Sequence, residues 1–233
     1  MELFFHSELI NGIFSPDENE ARHLRVLRKK TGDIVRFTDG MGNVAECVVA
    51  EIAAKSVLIE IKNIAKTARK MPKLTIAVSP LKNNDRFEWM VEKCTECGVA
   101  AIVPIICERT ESTIKKTDRL QRIIQAATIQ SLQYFMPELA KPVGFNEFLK
   151  TYNAKIKLAA WCDESEKTPI LTALRENSDT IILIGPEGDF TKNEFEAAIA
   201  AGYKAISLGS NRLRTETAAM LAAQAFYLKN SAC

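Results

Sequence analysis

The chain has 233 residues, 47% of them hydrophobic and 26% charged, with a formal net charge of +2. That length is long for one domain and comfortable for two, and such a composition can bury a core of normal size. No apolar run approaches the ~20 residues that a membrane helix needs. The start, MELFFHSELI, lacks the basic and long apolar segments of a signal peptide. The six cysteines (Cys47, Cys94, Cys97, Cys107, Cys162 and Cys233) follow no framework spacing. Buried thiols in a reducing compartment explain them, so a cytoplasmic protein without a membrane partner is expected.

The first seventy or so residues read as β. A short helix is expected over 16–28 and a strand over 33–38, followed by hairpin-turn chemistry in Asp39-Gly40-Met41-Gly42-Asn43. Residues 44–51 and 56–63 alternate or run apolar as two more strands, so a compact β-barrel over 1–70 is predicted. The basic stretch 64–73, ending in Met71-Pro72-Lys73, reads as a linker. From residue 73 the pattern changes to strand–helix alternation. Strands are expected at 74–79, 100–106, 156–162, 180–184 and 204–208.

A helix capped by Asn84 or Asp85 should bury Phe87, Met90, Val91 and Cys94 and stop at Gly98. Further helices are expected at 117–132, from Thr168-Pro169 with Pro in the first position, at 191–201 up to Gly202, and at 215–229. The region 73–233 is therefore an α/β domain with a mostly parallel sheet.

Charge is unevenly placed. Arg22, Arg25, Arg28, Lys29 and Lys30 occur in one stretch with no acid, and residues 61–84 hold six more Lys/Arg, again without an acid. Such stretches suit either a polyanion footprint or a solvated basic face.

In open α/β sheets, ligands lie beyond the carboxyl ends of the strands, and two such ends carry loops of unusual composition. The first, Gly185-Pro186-Glu187-Gly188-Asp189-Phe190, precedes a capping box of Thr191 and Glu194. Its glycines allow close approach of a ligand. Its carboxylates would repel phosphate and accept ribose hydroxyls or tolerate a cation, which favours a nucleoside-like ligand over a structural Gly-Pro turn. The second loop runs from Leu208 and Gly209 to Arg212, Leu213 and Arg214, with Glu216 at a helix start. It is either a helix start with exposed arginines or the place of an ion pair or catalytic group.

Other motifs carry little. Cys94-x-x-Cys97 has no second pair and only two histidines are available; Asp118, Asp163 and Glu164 form no recognisable metal cluster. No metal site is expected. No phosphate-binding or nucleophile-elbow motif is present.

At these loops the sequence becomes recognisable. IGPEGDFTKNE and LGSNRLRTETAAM resemble the two C-terminal signatures of the RsmE family, the 16S ribosomal RNA uridine-N3 methyltransferases of the SPOUT superfamily. HLRVLRKKTGD (23–33) is similar to the family's N-terminal motif and KNNDRFEWMVEKCTECGVAAIVPIICERT (82–110) to its central one. The chain departs from the family's common pattern at Asp189 (often Gly), at Cys97 (often Leu), and in QSLQYFMP (130–137), where many members carry a Gln-Ser-Gly-Arg type segment.

The resemblance implies a PUA-like RNA-binding barrel (1–70), a SPOUT domain (73–233) with a trefoil knot, and a homodimer. It implies S-adenosyl-L-methionine as cofactor, held by Gly185, Pro186, Glu187, Gly188, Leu208, Gly209, Leu213 and Arg214, with Glu216, Thr217 and Ala218 completing the floor. The substrate would be 16S ribosomal RNA in the small subunit. Arg214 and Arg212, beside the cofactor loop, are candidates to stabilise a uracil anion, and Glu216 to accept a proton or orient an arginine. Arg22, Arg25, Arg28, Lys29 and Lys30 would hold RNA phosphates, with Lys82 and Arg86 nearer the reacting centre. Two alternatives remain: methylation of a ribose 2′-oxygen or another base, and a non-catalytic ribosome-assembly protein.

Overall fold

The computed structural model describes residues 2–53, 56–114, 117–162 and 166–231; Asp163, Glu164 and Cys233 fall outside them. Two compact units are present: Met1–Arg69 together with Gln125–Met136, and Lys70–Ile124 together with Pro137–Cys233.

The first unit is built from β1 (Leu3–Phe5), β2 (Ile13–Phe14), α1 (Glu18–Val26), β3 (Ile34–Thr38), β4 (Asn43–Ile52) and β5 (Val57–Lys66). Its sheet runs β1-β3-β4-β5-β2, antiparallel except for β1 beside β3. His6 and Phe14 stack with ring centroids 4.1 Å apart, which brings the ends of the two edge strands together. Alternate residues of β3–β5 meet Phe4 and Leu24 in one core, as a period-2 pattern requires. β5 continues through Ile64–Lys66, pairing with the start of β4, so the expected linker begins later than its composition indicated. β1 and β2 are too short to produce a periodic signal.

Asp17 caps α1 by accepting from the Glu20 amide at 2.9 Å. The Glu20 side chain is buried and hydrogen-bonds with the Phe5 backbone and the Gln125 side chain. Its Oε2 has no hydrogen-bond partner among the described residues and lies 3.8 Å from His23 Nδ1. Burial, reinforced by the Asp17 charge, pushes its pKa from 4.5 up to about 7. The folded unit therefore keeps a proton that the unfolded chain has released. The resulting stability is complete below pH 4.5 and is lost as pH rises through 7. Glu20→Gln should flatten that slope, so that hydrogen exchange of β4 amides slows relative to the parent at pH 8 and not at pH 4. An unchanged difference between the two pH values would refute this assignment.

In the second unit come β6 (Leu74–Val78), α2 (Asn84–Glu96), β7 (Ala101–Ile106), β8 (Glu138–Leu139), β9 (Val143–Gly144), α4 (Phe145–Thr151) and β10 (Ile156–Ala160), with α3 (Thr117–Gln130) entering the first unit at its end. There follow β11 (Thr168–Pro169), α5 (Ile170–Ala173), β12 (Thr180–Ile184), α6 (Lys192–Ala200), β13 (Lys204–Ser207) and α7 (Thr215–Asn230). The sheet order is β11-β13-β10-β12-β6-β7-β8, with β9 also on β7, and every pairing is parallel. β12 is buried at all five positions, as a strand covered on both faces must be. The α/β class and parallel sheet are those the alternation predicted.

Two helix starts differ from expectation. Asn83, in extended backbone, caps α2 and accepts from the Arg86 amide at 3.1 Å, so Asn84 and Asp85 are already helical. Thr168-Pro169 is an edge strand beside Ile206-Ser207, and Pro169 only caps α5. A proline, lacking an N–H, is tolerated on such an edge. The Thr191–Glu194 capping box of α6 forms as read.

Candidate active site

The sheet order puts the carboxyl ends of β13, β10, β12 and β6 side by side. The loops that leave them line two adjoining clefts. The larger, about 810 Å³, is bounded by residues 206–213, Trp161, Cys162, Phe190 and Arg109. The smaller, about 320 Å³, is bounded by residues 184–187 and 212–215, Arg86 and Cys162. Ala160, Cys162, Asp189, Arg212, Leu213 and Ala218 line both.

The first glycine loop is held tightly. Asp189 donates its amide to the Pro186 carbonyl at 2.9 Å, closing a turn. Asp189 adopts φ +62, the left-handed region where glycine is the default. Its side chain compensates locally: Oδ1 accepts from the Phe190 amide at 2.8 Å and Oδ2 from the Cys162 amide at 3.1 Å. Asp189 thus holds this left-handed backbone and ties the loop to the end of β10. Arg109 Nη1 donates to the Gly188 carbonyl at 2.7 Å. A Cβ added at Gly185 would come within 3.1 Å of the Phe190 ring and 3.2 Å of Asp189 Oδ1.

The second loop leads into α7. Thr215 Oγ1 donates to the Gly185 carbonyl at 3.1 Å, joining the start of α7 to the first loop. Arg214 is the N-cap, but its side chain makes no cap bond and is exposed on the cleft. Arg212 is exposed on both clefts. Glu216 is buried, its Oε1 3.7 Å from Arg86 Nε and its Oε2 without a hydrogen-bond partner among the described residues.

Of the sequence-predicted cofactor residues, Gly185, Pro186, Glu187, Leu208, Gly209, Leu213, Arg214 and Ala218 line one or both clefts. Gly188 contributes its carbonyl to Arg109 and borders neither, and Thr217 lies one position behind the lining residue Ala218. Sequence reasoning missed Arg109, Trp161 and Cys162, which only strand order brings to the site, whereas Phe190 belongs to the first loop as read. Cys162 is an exposed thiol, whereas Cys47, Cys94, Cys97 and Cys107 are buried. Burial and the neighbouring Asp189 carboxylate raise the Cys162 pKa.

Among the expected basic contacts, Arg22, Arg28 and Lys30 are exposed on α1 and the turn after it. Arg25 donates to the Ala53 carbonyl at 3.2 Å, and Lys29 pairs with Glu2. In the second unit Lys82 pairs with Glu111, whose hydrogen bond and charge, with a smaller contribution from Glu187, raise the Lys82 pKa. Arg86 turns into the smaller cleft. Among the described residues no group of three or more His, Cys, Asp or Glu could hold a metal ion, and no helix is long and apolar enough to cross a membrane.

Residues 68–227 match the RNA methyltransferase domain, and residues 16–62 the RNA methyltransferase PUA domain. The ribosomal RNA small subunit methyltransferase E of Rickettsia conorii is 32% identical, over 89% of this chain and 86% of its own. A probable rRNA-methyltransferase of Porphyromonas gingivalis, 34% identical, superposes with a TM-score of 0.90 over 99% of this chain and 98% of its own. The ribosomal RNA small subunit methyltransferase E of Neisseria gonorrhoeae, solved bound to S-adenosyl methionine, is 28% identical, with a TM-score of 0.84 over 96% of this chain and 95% of its own. Sequence motifs, fold and relatives agree: the chain belongs to the ribosomal RNA small subunit methyltransferase E (RsmE) family of RNA methyltransferases.

Proposed function

We propose that the protein methylates N3 of a uridine in 16S ribosomal RNA, using S-adenosylmethionine. The observation that carries this reading is the meeting of the two signature loops around Leu213 and Ala218 at the carboxyl ends of β12 and β13, parallel strands on either side of β10. The residues fit the cofactor. Tight glycine turns leave backbone groups able to meet a nucleoside, Glu187 and Asp189 tolerate a sulfonium charge, and no phosphate-binding loop is present. Bound there, S-adenosylmethionine supplies an electrophilic methyl group. Gly185, Pro186, Glu187, Leu208, Gly209 and Leu213 would hold it, with Ala218 beneath.

The chain's own task is orientation and charge. Aligning N3 with the methyl group can supply several kcal/mol. The uridine must also leave its base pair, at a cost of a few kcal/mol. As the N3 proton departs to solvent, negative charge spreads over both uracil carbonyls. Arg214 and Arg212, exposed on the cleft, stabilise it there.

Residues 1–70 and 73–233 act as the RNA-binding and methyltransferase domains. Arg22, Arg28 and Lys30, with Arg25 and Lys29 behind them, engage phosphates and position the RNA without reading sequence. The substrate is RNA within the small subunit, in the cytoplasm, and the working form is a homodimer. A trefoil knot is supported by the order β13-β10-β12 and by the Thr215 hydroxyl clasping the Gly185 loop.

The test is nucleoside mass spectrometry of small-subunit RNA, from a strain lacking the protein, after incubation with protein and S-adenosylmethionine. New 3-methyluridine is expected. Another methylated nucleoside would keep cofactor and fold but overturn the N3 assignment. Failure to bind the cofactor would overturn the enzymatic reading.

A further inference from the structure

Arg86 and Glu216 form a pair whose geometry is unusual for a structural ion pair. Arg86 is the third residue of α2, its amide fixed by the Asn83 cap at 3.1 Å. Glu216 stands in the first turn of α7, which packs against α2. The separation of 3.7 Å is longer than a hydrogen bond, and it engages Arg86 through Nε. The Glu216 side chain is only 8% exposed and lines neither cleft, and its Oε2 is enclosed and without a hydrogen-bond partner among the described residues. A buried carboxylate left half-satisfied is costly and calls for a reason.

The accessible member of the pair is the arginine. Its side chain is 39% exposed and lines the smaller cleft with Gly185, Pro186, Glu187 and Arg214. Among the described residues its two Nη groups make no hydrogen bond, so a residue that lines the cleft keeps these donors available. Enclosed behind Arg86, Glu216 can anchor the guanidinium but cannot reach a substrate proton.

We infer that Arg86 is a further catalytic cation, donating from Nη to one carbonyl of the target uracil while Arg214, with Arg212 beside it, serves the other, and that Glu216 is its positioning residue. The inference rests on the uridine-N3 reading above. The uracil anion places charge on both O2 and O4, which lie on opposite sides of N3, so cations on both sides of the base are needed to meet it. In the step, the N3 proton passes to water and the N3 electron pair forms the N–CH3 bond. The S–CH3 bond breaks with its pair on sulfur, leaving a neutral thioether, and Arg86 stays protonated throughout. A planar guanidinium suits this better than an ammonium, because its N–H groups are fixed in direction.

The experiment compares the parent, Arg86→Ala, Arg86→Lys and Glu216→Gln on small-subunit RNA containing either uridine or 5-fluorouridine, whose ring fluorine makes N3 more acidic. Cofactor affinity is measured by calorimetry alongside kcat. With uridine, Arg86→Ala should lower kcat by about 10²-fold while cofactor affinity holds. Arg86→Lys should recover only part of that loss. Glu216→Gln should fall in the same direction by less.

The decisive readout is the substrate. The fluorinated RNA should restore much of the lost rate in Arg86→Ala, and the variant's rate should keep rising with pH where the parent levels off. Equal loss on both RNAs with an unchanged pH profile would overturn the inference and leave a structural role. So would a matching loss of cofactor affinity. If the parent makes a nucleoside other than 3-methyluridine, the underlying reading fails instead, and mass spectrometry of the parent reaction distinguishes the two failures.

Discussion

Arg214→Ala is expected to lower kcat for 3-methyluridine formation by about 10²-fold, with S-adenosylmethionine affinity nearly unchanged. The side chain is exposed on the cleft and makes no cap bond, whereas its backbone carbonyl accepts the Ala218 amide at 2.8 Å and so holds the first turn of α7. Alanine keeps that carbonyl. The substitution therefore removes a charge from the reacting region without removing a structural contact. A loss confined to kcat would mean that Arg214 acts only as charge builds on the uracil carbonyls. Arg214→Lys should fall between the two, because it keeps the charge and loses the directed fork. Parallel loss of cofactor affinity would make Arg214 a cofactor ligand, and unchanged turnover would remove it from the chemistry. Isothermal titration of cofactor, beside single-turnover kinetics on saturating RNA, separates these outcomes.

Gly42→Ala should destabilise the first unit by about 3 kcal/mol. Gly42 has φ +97, and an added Cβ would lie 2.5 Å from Phe135 Cζ, 2.6 Å from its Cε1 and 2.9 Å from the Thr67 carbonyl. The ring could swing away, but the backbone carbonyl and the dihedral angle could not relax without breaking the turn. Two backbone bonds hold this glycine, from its amide to the Tyr134 carbonyl and from the Thr67 amide to its own carbonyl, both 2.8 Å. In thermal unfolding the first unit's transition should fall by about 10–20 °C. Adding Phe135→Ala to Gly42→Ala should recover part of the loss and not all of it. A single variant that melts with the parent would show that the turn yields cheaply.

That turn also holds the end of the segment 130–137. Gly40 accepts the Met136 amide at 2.8 Å, Met41 pairs with Phe135, and the Arg69 guanidinium lies 4.7 Å from the Phe135 ring centre. Tyr134, Phe135 and Met136 thus latch residues 125–136 onto the hairpin of the first unit. Periodicity read along the chain could not assign them there. The partner of Phe135 is a glycine turn far away in sequence, and a glycine carries no side-chain pattern that announces it.

The sequence by itself determined what depends on near neighbours. Strand and helix periods established the α/β class, and β12 stands at its expected bounds because its buried strand leaves the continuous apolar run Ile181–Ile184 behind Thr180. The capping box at Thr191 and Glu194, the glycine loops and the basic stretch at 22–30 were equally legible, since each is a local arrangement of side chains with backbone or charge. The tertiary structure alone decided the strand order, and with it the composition of the site. Placing β10 between β13 and β12 carries Cys162 to the glycine loop, and placing β7 beyond β6 lets Arg109 reach Gly188. Packing α2 on α7 makes Arg86, expected from the sequence only as an RNA contact near the reacting centre, the partner of a buried Glu216. Those contacts join residues with no common local pattern. They are selected by which strands pair and which helix faces pack across the sheet, a choice made by the energy of the whole unit and by no segment alone.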